Sequence, residues 1–560
     1  MGRCGIAAVL LCNRHTLVAG PSLMIKIISL ALAGFTVFLA LVLPNHPGTM
    51  SLSALNRFPL ELPVLLLGMI ALGNRRWVIA ALALILLAAI FLKLADFGMF
   101  IAYNRTFNPV LDAFLIKAGI ALLSNSIGTP LTYLAIAGAI VLLAMMYVAL
   151  MRSLRAWATL ALPRWGRICS LIAAFGFGGW AVADAGHHLD YWNFERSPPG
   201  TAWTSRLVFK RAVEMQETTT DLIRFAEEAQ TDVFASATGL LDRLDGRDVI
   251  MIYIESYGRA SFDNPLYAPQ HLETLKAGET ALEAAGFAMR SGWLTSPTAG
   301  GQSWLAHGTL ASGLWTSDNG RYTAMLASGH KWLFHFAQDA GYRTTAIMPA
   351  ITLNWPESSK MGFDQVFAAA DIPYKGDPFN WVTMPDQFTL ATYPRLISDD
   401  PRPDFIQIAL ISSHAPWVPV PQVLEWDDIA DGTEFNEMAA QGPTPRELWK
   451  DRDKVRAAYR DAIDYSLQVT LFHIAQLGAR APLVMVIGDH QAAGFVAGSD
   501  NRDVAVHMIG PADLLAQIDT WGWRDGLIPD ATTPVRRMDR FRNDFLSAFS
   551  TAQHMVGVVE

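Results

Sequence analysis

The chain has 560 residues, of which 52% are hydrophobic and 17% charged, and its formal net charge is −8. This length exceeds that of one ordinary soluble domain and favours two to four domains. The acidic balance gives no reason to expect a nucleic-acid partner, and none is predicted. The three cysteines all lie before residue 170, which excludes a disulfide framework in the C-terminal two-thirds of the chain.

The first 184 residues hold most of the hydrophobicity. Residues 1–23 have no clear pattern and are interpreted as an N-terminal tail, with Met24 as an alternative start. Residues 24–184 are predicted to form a helical transmembrane domain, because five of their stretches are apolar enough to cross a bilayer. These stretches are Ile27–Leu43, Phe58–Leu72, Trp77–Leu92, Leu131–Met151 and Ile168–Val182. A sixth stretch, Phe107–Leu123, carries two charged residues and is interpreted as an interfacial or re-entrant helix.

Arginines set the predicted orientation of these spans. Arg75 and Arg76 lie between the second and third spans, and four more arginines lie between the fourth and fifth: Arg152, Arg155, Arg164 and Arg167. Both clusters are cytoplasmic if the N-terminus is inside and the chain crosses five times. The sequence therefore predicts a multi-pass protein of the cytoplasmic (inner) membrane, with everything after Asp184 on the extracytoplasmic, periplasmic side.

Two regions follow the predicted spans. Residues 185–245 mix apolar residues with charges of both signs and are interpreted as connector helices, packed on the domain that follows or lying at the lipid surface. From residue 246 to 560, apolar runs alternate with helical patterns. The predicted strands are VIMIYIE, TTAIMPA, FIQIALISS, PLVMVIG and VAVHMIG. This alternation predicts an α/β domain with a mostly parallel sheet and helices on both faces.

Acidic and imidazole side chains stand at the ends of two of these strands. Glu255 ends the first run, and Asp489 and His490 end the fourth. Ligands gather at the carboxyl ends of the strands in open α/β sheets. Two carboxylates and one imidazole are a suitable ligand set for a divalent metal ion, so these three residues are candidate metal ligands.

Ser303 is the candidate nucleophile. It follows a glycine pair and precedes a predicted helix, where the partly positive helix N-terminus favours an incoming phosphate. Metal coordination is one way to activate a serine hydroxyl. The alternative is that Ser303 only caps the helix. His307 falls one helical turn later, and we expect it to contact the substrate or the leaving group.

From about residue 246 onward, the chain resembles the alkaline phosphatase/sulfatase superfamily. Within it, the likeness is to the membrane-anchored lipoteichoic acid synthase and phosphoglycerol transferase group, with the phosphoethanolamine transferases next. Five motifs carry it: Glu255-Ser256, Ser303 nine residues before Ser312-Gly313, Trp355 before Gly362-Phe363, His414 in SSHAPW, and Gly488-Asp489-His490. The resemblance implies that Glu255, Ser303, Asp489 and His490 bind one divalent metal ion (Mn, Mg or Zn). It also implies that His414 and Trp355 contact the substrate, with His414 placed for acid catalysis.

The resemblance implies an integral-membrane phosphotransferase. Such an enzyme moves a phospholipid head group, phosphoglycerol or phosphoethanolamine, through a covalent Ser303 intermediate to an envelope acceptor that is a glycan, a lipid or a polymer. A phosphoric or sulfuric ester hydrolase of the same superfamily and an inactive membrane scaffold are the alternatives. The sequence leaves open the head group, the acceptor, the metal and the oligomeric state.

The chain departs from the motifs of the superfamily at three places, and two of these departures argue against particular alternatives. The nucleophile is serine where the head-group transferases have threonine. The segment from Ser303 to His307 lacks the Pro and Arg of the sulfatase C/S-x-P-x-R motif, which argues against a formylglycine sulfatase. The late motif reads GDHQ where two-zinc relatives have SDHG, which argues against a second metal ion.

Overall fold

The structure, a computed structural model, describes residues 21–50, 58–103, 106–189, 191–192, 194, 200–353, 355–397, 400–478 and 481–551. Most of the predicted N-terminal tail, residues 1–20, lies outside the described residues. The chain divides into two compact units, Met1–Thr220 and Asp221–Glu560. The division falls inside a single helix, whereas the sequence places domain boundaries at residues 184 and 245; those boundaries stay predictions.

The first unit is helical in its described part. Its helices are α1 (Pro21–Val42), α2 (Glu61–Leu72), α3 (Arg76–Tyr103), α4 (Phe114–Ile127), α5 (Thr129–Ala158), α6 (Arg164–His188) and the start of α7 (Trp203–Glu228). Among the described residues, α1, α3, α5 and α6 are long and apolar enough to cross a membrane. Helix α2, the second predicted span, has 12 residues. At 1.5 Å per residue it is only about 18 Å long, against a hydrocarbon core of about 30 Å. The count of five spans therefore stays a prediction.

Helix α7 begins among buried charges of the first unit. The Ser205 backbone N–H donates to Glu61 Oε1 at 2.9 Å, which satisfies an amide of the first helical turn. Two turns later, the Arg211 guanidinium donates to both oxygens of Asp96 at 2.9 and 3.0 Å, and both side chains are buried. The predicted connector is thus packed into the first unit at this end by paired polar groups.

The second unit is built on a nine-stranded sheet. Its strands are β1 (Val249–Ile254), β2 (Ala288–Thr295), β3 (Arg343–Met348), β4 (Gln365–Ala368), β5 (Asp404–Ala409), β6 (Leu483–Gly488), β7 (Asp503–Gly510), β8 (Arg524–Asp525) and β9 (Val535–Arg537). The order is β4-β3-β5-β1-β6-β7-β2-β8, and β9 pairs with β2. The first five strands in that order are parallel, and β7 is antiparallel to both β6 and β2. The predicted mostly parallel sheet is confirmed.

Helices cover the sheet of the second unit. Those of at least seven residues are α9 (Ala268–Ala284), α10 (Ser303–Ser312), α11 (Asn319–Ser328), α12 (Leu333–Asp339), α13 (Asp386–Leu396), α16 (Arg452–Ala475) and α19 (Phe541–Ala548). Short helices of four residues are α8 (Ala260–Asp263), α14 (Asn436–Ala439), α15 (Pro445–Leu448), α17 (Gly494–Ala497) and α18 (Ala512–Leu515). One core cluster joins Ile252 and Val486 to Ile463 of α16, and the other joins Met251 and Met485 to Phe545 of α19. Since neighbouring residues of one strand enter different clusters, both faces of the central strands are buried, as expected for parallel sheets.

Candidate metal and nucleophile site

The strand register brings Glu255 and Asp489 together. Ile254 of β1 pairs with Gly488 of β6, so the two acidic residues follow directly at the carboxyl ends of neighbouring strands. Ser256 then turns the chain with a φ of 61°, and its backbone N–H donates to Asp489 Oδ1 at 2.8 Å. These contacts fix the acidic pair before any ligand binds.

His490 is held by its backbone-facing nitrogen. Nδ1 lies 3.0 Å from the carbonyl oxygen of Gln491, and a carbonyl can only accept, so Nδ1 carries the hydrogen of this bond. The other nitrogen, Nε2, lies 3.0 Å from Glu255 Oε1 and 3.8 Å from Asp489 Oδ2. Fixing one nitrogen by a backbone carbonyl is the usual way in which proteins orient an imidazole toward a metal ion.

Ser303 completes the cluster. Gly300, Gly301 and Gln302 all have positive φ angles, so the chain turns sharply before α10 begins at Ser303. The half-buried hydroxyl donates to Glu255 Oε2 at 2.7 Å and lies 3.3 Å from His490 Nε2. The N-cap position itself belongs to Gln302, so the hydroxyl of Ser303 is directed to the acidic cluster.

The donor set fits a divalent metal ion. Glu255, Asp489 and His490 each offer a ligand atom, and these atoms all lie within 4.8 Å of one another. Together with the hydroxyl of Ser303 they supply three oxygens and one nitrogen, a set suited to Zn, Mn or Mg. All four residues come from the segments named in the sequence.

The electrostatics of the cluster favour a cation. Burial raises the pKa of Asp489, and the neighbouring charge of Glu255 raises it further. Burial alone would lower the pKa of His490, but Asp489 and Glu255 overcome it and raise the value to about 9. For Glu255, burial acts to raise the pKa, and His490 reverses the direction. Two carboxylates that stabilise an imidazolium in this way also stabilise a metal ion at the same point.

His414 follows a third strand of the sheet, β5, which pairs with β1. Beyond β5 the chain turns, and the Ser413 hydroxyl donates to the backbone oxygen of Glu255 at 2.7 Å. His414 follows, half-buried, with Nδ1 hydrogen bonded to the carbonyl oxygen of Ala415. His414 is therefore the next residue after the one whose hydroxyl bonds the Glu255 backbone.

The two other predicted substrate contacts differ in position. His307 lies against Tyr253 in a tilted arrangement, with 3.9 Å between ring centroids, and its Nε2 is buried without a hydrogen-bond partner among the described residues. Burial lowers the pKa of His307 to about 4, so its ring is neutral at pH 7. Trp355 is half-buried and packs against Phe363, with 6.3 Å between centroids. Its contact with substrate stays a prediction.

Several residues that support the site were missed by sequence reasoning. Ser413 could have been suspected from its place in SSHAPW. The Tyr459 hydroxyl donates to the Ser256 oxygen at 2.9 Å, and the Ser296 hydroxyl to the Asp489 oxygen at 2.7 Å. These two act on backbone oxygens from distant segments, and their sequence surroundings carry no signal of that role.

Part of the chain matches a known protein family. Residues 248–502 match the family model "Sulfatase". A search of curated proteins finds no match. Among solved structures, the lipoteichoic acid synthase LtaP from Listeria monocytogenes is 12% identical over 59% of this chain and 78% of its own, with a TM-score of 0.35. The Streptococcus pyogenes phosphoglycerol transferase GacH is 14% identical over 60% and 82%, with a TM-score of 0.36.

A third solved structure is the periplasmic domain of the phosphoethanolamine transferase EptC from Campylobacter jejuni. It is 9% identical over 55% of this chain and 91% of its own, with a TM-score of 0.36. The family model spans β1 to β6, the strands that carry Glu255 and Asp489. Residues 248–502 therefore form a sulfatase-like enzyme domain.

Proposed function

We propose that this chain is an integral-membrane, metal-dependent phosphotransferase that moves a phospholipid head group through a covalent intermediate on Ser303. One observation carries the proposal: the Ser303 hydroxyl donates to Glu255 at 2.7 Å inside a cluster with Asp489 and His490. A nucleophile in contact with metal-ligand candidates is the arrangement that ester transfer requires.

The reaction has two displacements. Ser303 Oγ attacks the phosphorus of the lipid, the bond from phosphorus to the diacylglycerol oxygen breaks, and His414 gives that oxygen a proton. An acceptor hydroxyl then attacks the same phosphorus and gives its proton to the His414 imidazole that the first step left neutral, and the bond from phosphorus to Ser303 Oγ breaks. Ser303, whose own proton went to solvent before the first attack, takes one back from solvent as it leaves. A divalent ion at Glu255, Asp489 and His490 would lower the pKa of the attacking hydroxyl and offset the charge that develops on phosphorus.

Substrate contacts are assigned to three side chains. His414 binds the phosphate in addition to its acid role. His307 is neutral, and its Nε2 has no hydrogen-bond partner among the described residues, which suits it to a polar contact near the leaving oxygen. Trp355, which lies beyond β3 and packs against Phe363, is assigned a further contact with the substrate. The lipid donor is supported by four helices that are long and apolar enough to span a membrane, because the donor then lies in the same bilayer as the enzyme.

Hydrolysis of a phosphoric or sulfuric ester is the second candidate, in which water takes the place of the acceptor. Sulfatase chemistry through formylglycine has little support, since Ser303-Trp-Leu-Ala-His307 lacks the modification motif. The acceptor proposed for the transferase is a glycan, a lipid or a polymer outside the cytoplasmic membrane.

Mass spectrometry tests the proposal. The purified protein is incubated with mixed phospholipids, digested, and searched for a head-group phosphate on the peptide that contains Ser303. We expect an adduct of phosphoglycerol or phosphoethanolamine mass that is absent from Ser303→Ala and present in Ser317→Ala, a change at a neighbouring serine that bonds only Asp318. Product analysis with and without acceptor then separates transfer from hydrolysis. An unmodified Ser303 under turnover would contradict the covalent route.

A further inference from the structure

Asp386 has a buried carboxylate that the proposed chemistry does not use. It begins α13, it is fully buried, and it stands apart from the metal ligand candidates. Ionised carboxylates are rarely buried to this extent unless several donors satisfy them. The partners of this carboxylate therefore indicate what it is for.

Three donors meet the Asp386 carboxylate. Oδ1 accepts from the backbone N–H groups of Ile411 and Ser412, both at 2.8 Å. Oδ2 accepts from the Ser466 hydroxyl of α16 at 2.6 Å. In return, the Asp386 backbone N–H donates to the Ser412 hydroxyl at 2.8 Å. Two adjacent N–H groups on one charged oxygen fix the backbone of this segment in both position and direction.

The clamped segment leads directly into the site. The carbonyl of Ile411 accepts from the His414 backbone N–H at 3.0 Å, so the turn that presents the imidazole is anchored at the residue that Asp386 holds. Between them, the Ser413 hydroxyl donates to the Glu255 backbone oxygen. One carboxylate thus connects, through two hydrogen bonds, to both His414 and Glu255.

We infer that Asp386 is a positioning residue for His414: it holds the turn Ile411–His414 so that the imidazole meets the leaving oxygen. The inference rests on the proposed phosphotransfer. Its consequence is selective, because misplacing an acid matters most when the leaving oxygen needs a proton.

The test compares two synthetic phosphodiesters that carry the same head group and differ in leaving group. One leaves as an alkyl alcohol, which needs protonation, and the other as p-nitrophenol, which does not. In the full-length protein in detergent, Asp386→Ala, which removes the acceptor of both backbone N–H groups, should lose about 10²-fold in rate with the alkyl diester, the scale of a misplacement near 1 Å, and little with the nitrophenyl diester. Metal content should stay that of the wild type.

Ser466→Ala is the matched control. It removes the donor to Oδ2 and leaves both backbone bonds of Oδ1 in place, so it should keep near wild-type rates with both diesters. Ser412→Ala, which removes the acceptor for the Asp386 N–H, should show a smaller loss with the same leaving-group selectivity, and it serves if Asp386→Ala folds poorly. On a His414→Ala background, Asp386→Ala should add almost nothing, because the two act as a unit.

Hydrogen exchange supplies a readout that does not depend on activity. The amides of Ile411 and Ser412 should exchange faster in Asp386→Ala than in Ser466→Ala. Equal losses with both diesters, or independent effects of Asp386 and His414, would overturn the positioning role. Absence of wild-type turnover with either diester would instead overturn the proposed phosphotransfer, so the two failures are distinguishable.

Discussion

Ser303 is the residue on which the proposed chemistry depends most directly. Ser303→Ala should reduce turnover by roughly 10⁴-fold or more, because the covalent route is removed altogether. Metal content should change little, because Glu255, Asp489 and His490 still supply three ligand atoms. Thermal unfolding should also change little, because the side chain is small and half-buried. The check is a rate assay beside a metal measurement, with Ser317→Ala as control. Near wild-type turnover in the purified Ser303 variant would exclude it as the nucleophile.

A different outcome is expected when the two acidic residues of the cluster are changed. Glu255→Gln and Asp489→Asn should each lose metal along with activity, because an amide in either place removes an anionic oxygen from the cluster. Plasma mass spectrometry measures the occupancy. Asp464→Asn is the matched control: its carboxylate is also buried but bonds Gln270 and Thr274 of α9. Full metal occupancy in both site variants would mean that the metal ion binds elsewhere in the protein.

His414 should separate rate from metal binding. Glu255, Ser303, Asp489 and His490 already supply four ligand atoms, which leaves the imidazole for the phosphate or the leaving oxygen. His414→Ala should therefore keep its metal and lose about 10²–10⁴-fold in rate, the range of a general acid. A metal titration of the variant decides the matter, since departure of the metal with the imidazole would make His414 a ligand.

The sequence indicated the residues of the cluster more clearly than the residues that hold them in place. Glu255 and Asp489 end conspicuous apolar runs, and a parallel sheet leaves such ends at one edge. Asp386 gave no such signal, because its partners Ile411 and Ser466 lie 25 and 80 positions away in the chain. A residue whose role is to hold distant backbone can be found only once the chain is folded.

Among the secondary-structure elements, the fully apolar strands were easy to predict from the sequence, and the strands that mix apolar and polar residues were not. The strands β1 and β6 are entirely apolar up to Gly488, and the predicted runs match them within a residue. Strand β2 was missed because Arg290, Ser291 and Gly292 interrupt its apolar pattern. Its Ser291 hydroxyl lies 2.7 Å from His507 Nδ1 of β7, a buried polar contact that only the paired strands reveal. The direction of β7 is likewise set by its partners.

Helix α16 carries a buried histidine with a consequence for acid stability. Burial lowers the pKa of His473 to about 4, from 6.5 in the unfolded chain. As the pH falls from 6.5 toward 4, the unfolded chain binds a proton at His473 and the folded chain does not. The free energy of unfolding therefore decreases over that window. The loss from this residue is on the order of 3 kcal/mol.

The comparison is between wild type and His473→Phe, which keeps an aromatic ring against Tyr393 and Trp426. Urea unfolding at pH 7 and pH 4.5 should show a smaller decrease in the free energy of unfolding for the variant. An identical decrease in both proteins would mean that His473 is already protonated in the folded state.

At the scale of the whole molecule, α2 decides the topology. If the chain crosses the membrane five times, residues 185–560 lie outside and Arg75 and Arg152 inside, as the arginine clusters require. If α2 does not cross, the four long helices return the chain to the side on which α1 begins. Whether the short α2 crosses the membrane therefore sets the side on which residues 185–560 lie.

Reporter fusions after residue 190 test the five-crossing arrangement. Alkaline phosphatase joined there should be active and a cytoplasm-dependent fluorescent reporter dark, with the reverse pattern for a fusion at Arg75. Reporter activity confined to the cytoplasm after residue 190 would contradict the orientation, and with it a donor in the outer leaflet.

The spacing of the cluster along the chain bears on when the enzyme becomes active. Ser303 and His490 lie 187 positions apart, and β1 and β6 come together only after most of the second unit has been made. A nascent chain that has reached Glu255 but not Asp489 lacks the second carboxylate and the imidazole of the cluster. Because ligands this far apart converge only in the completed sheet, metal capture should be a late event in biogenesis. On the proposed topology, the metal is then drawn from the compartment in which the second unit folds, and the enzyme stays inert during its passage through the membrane.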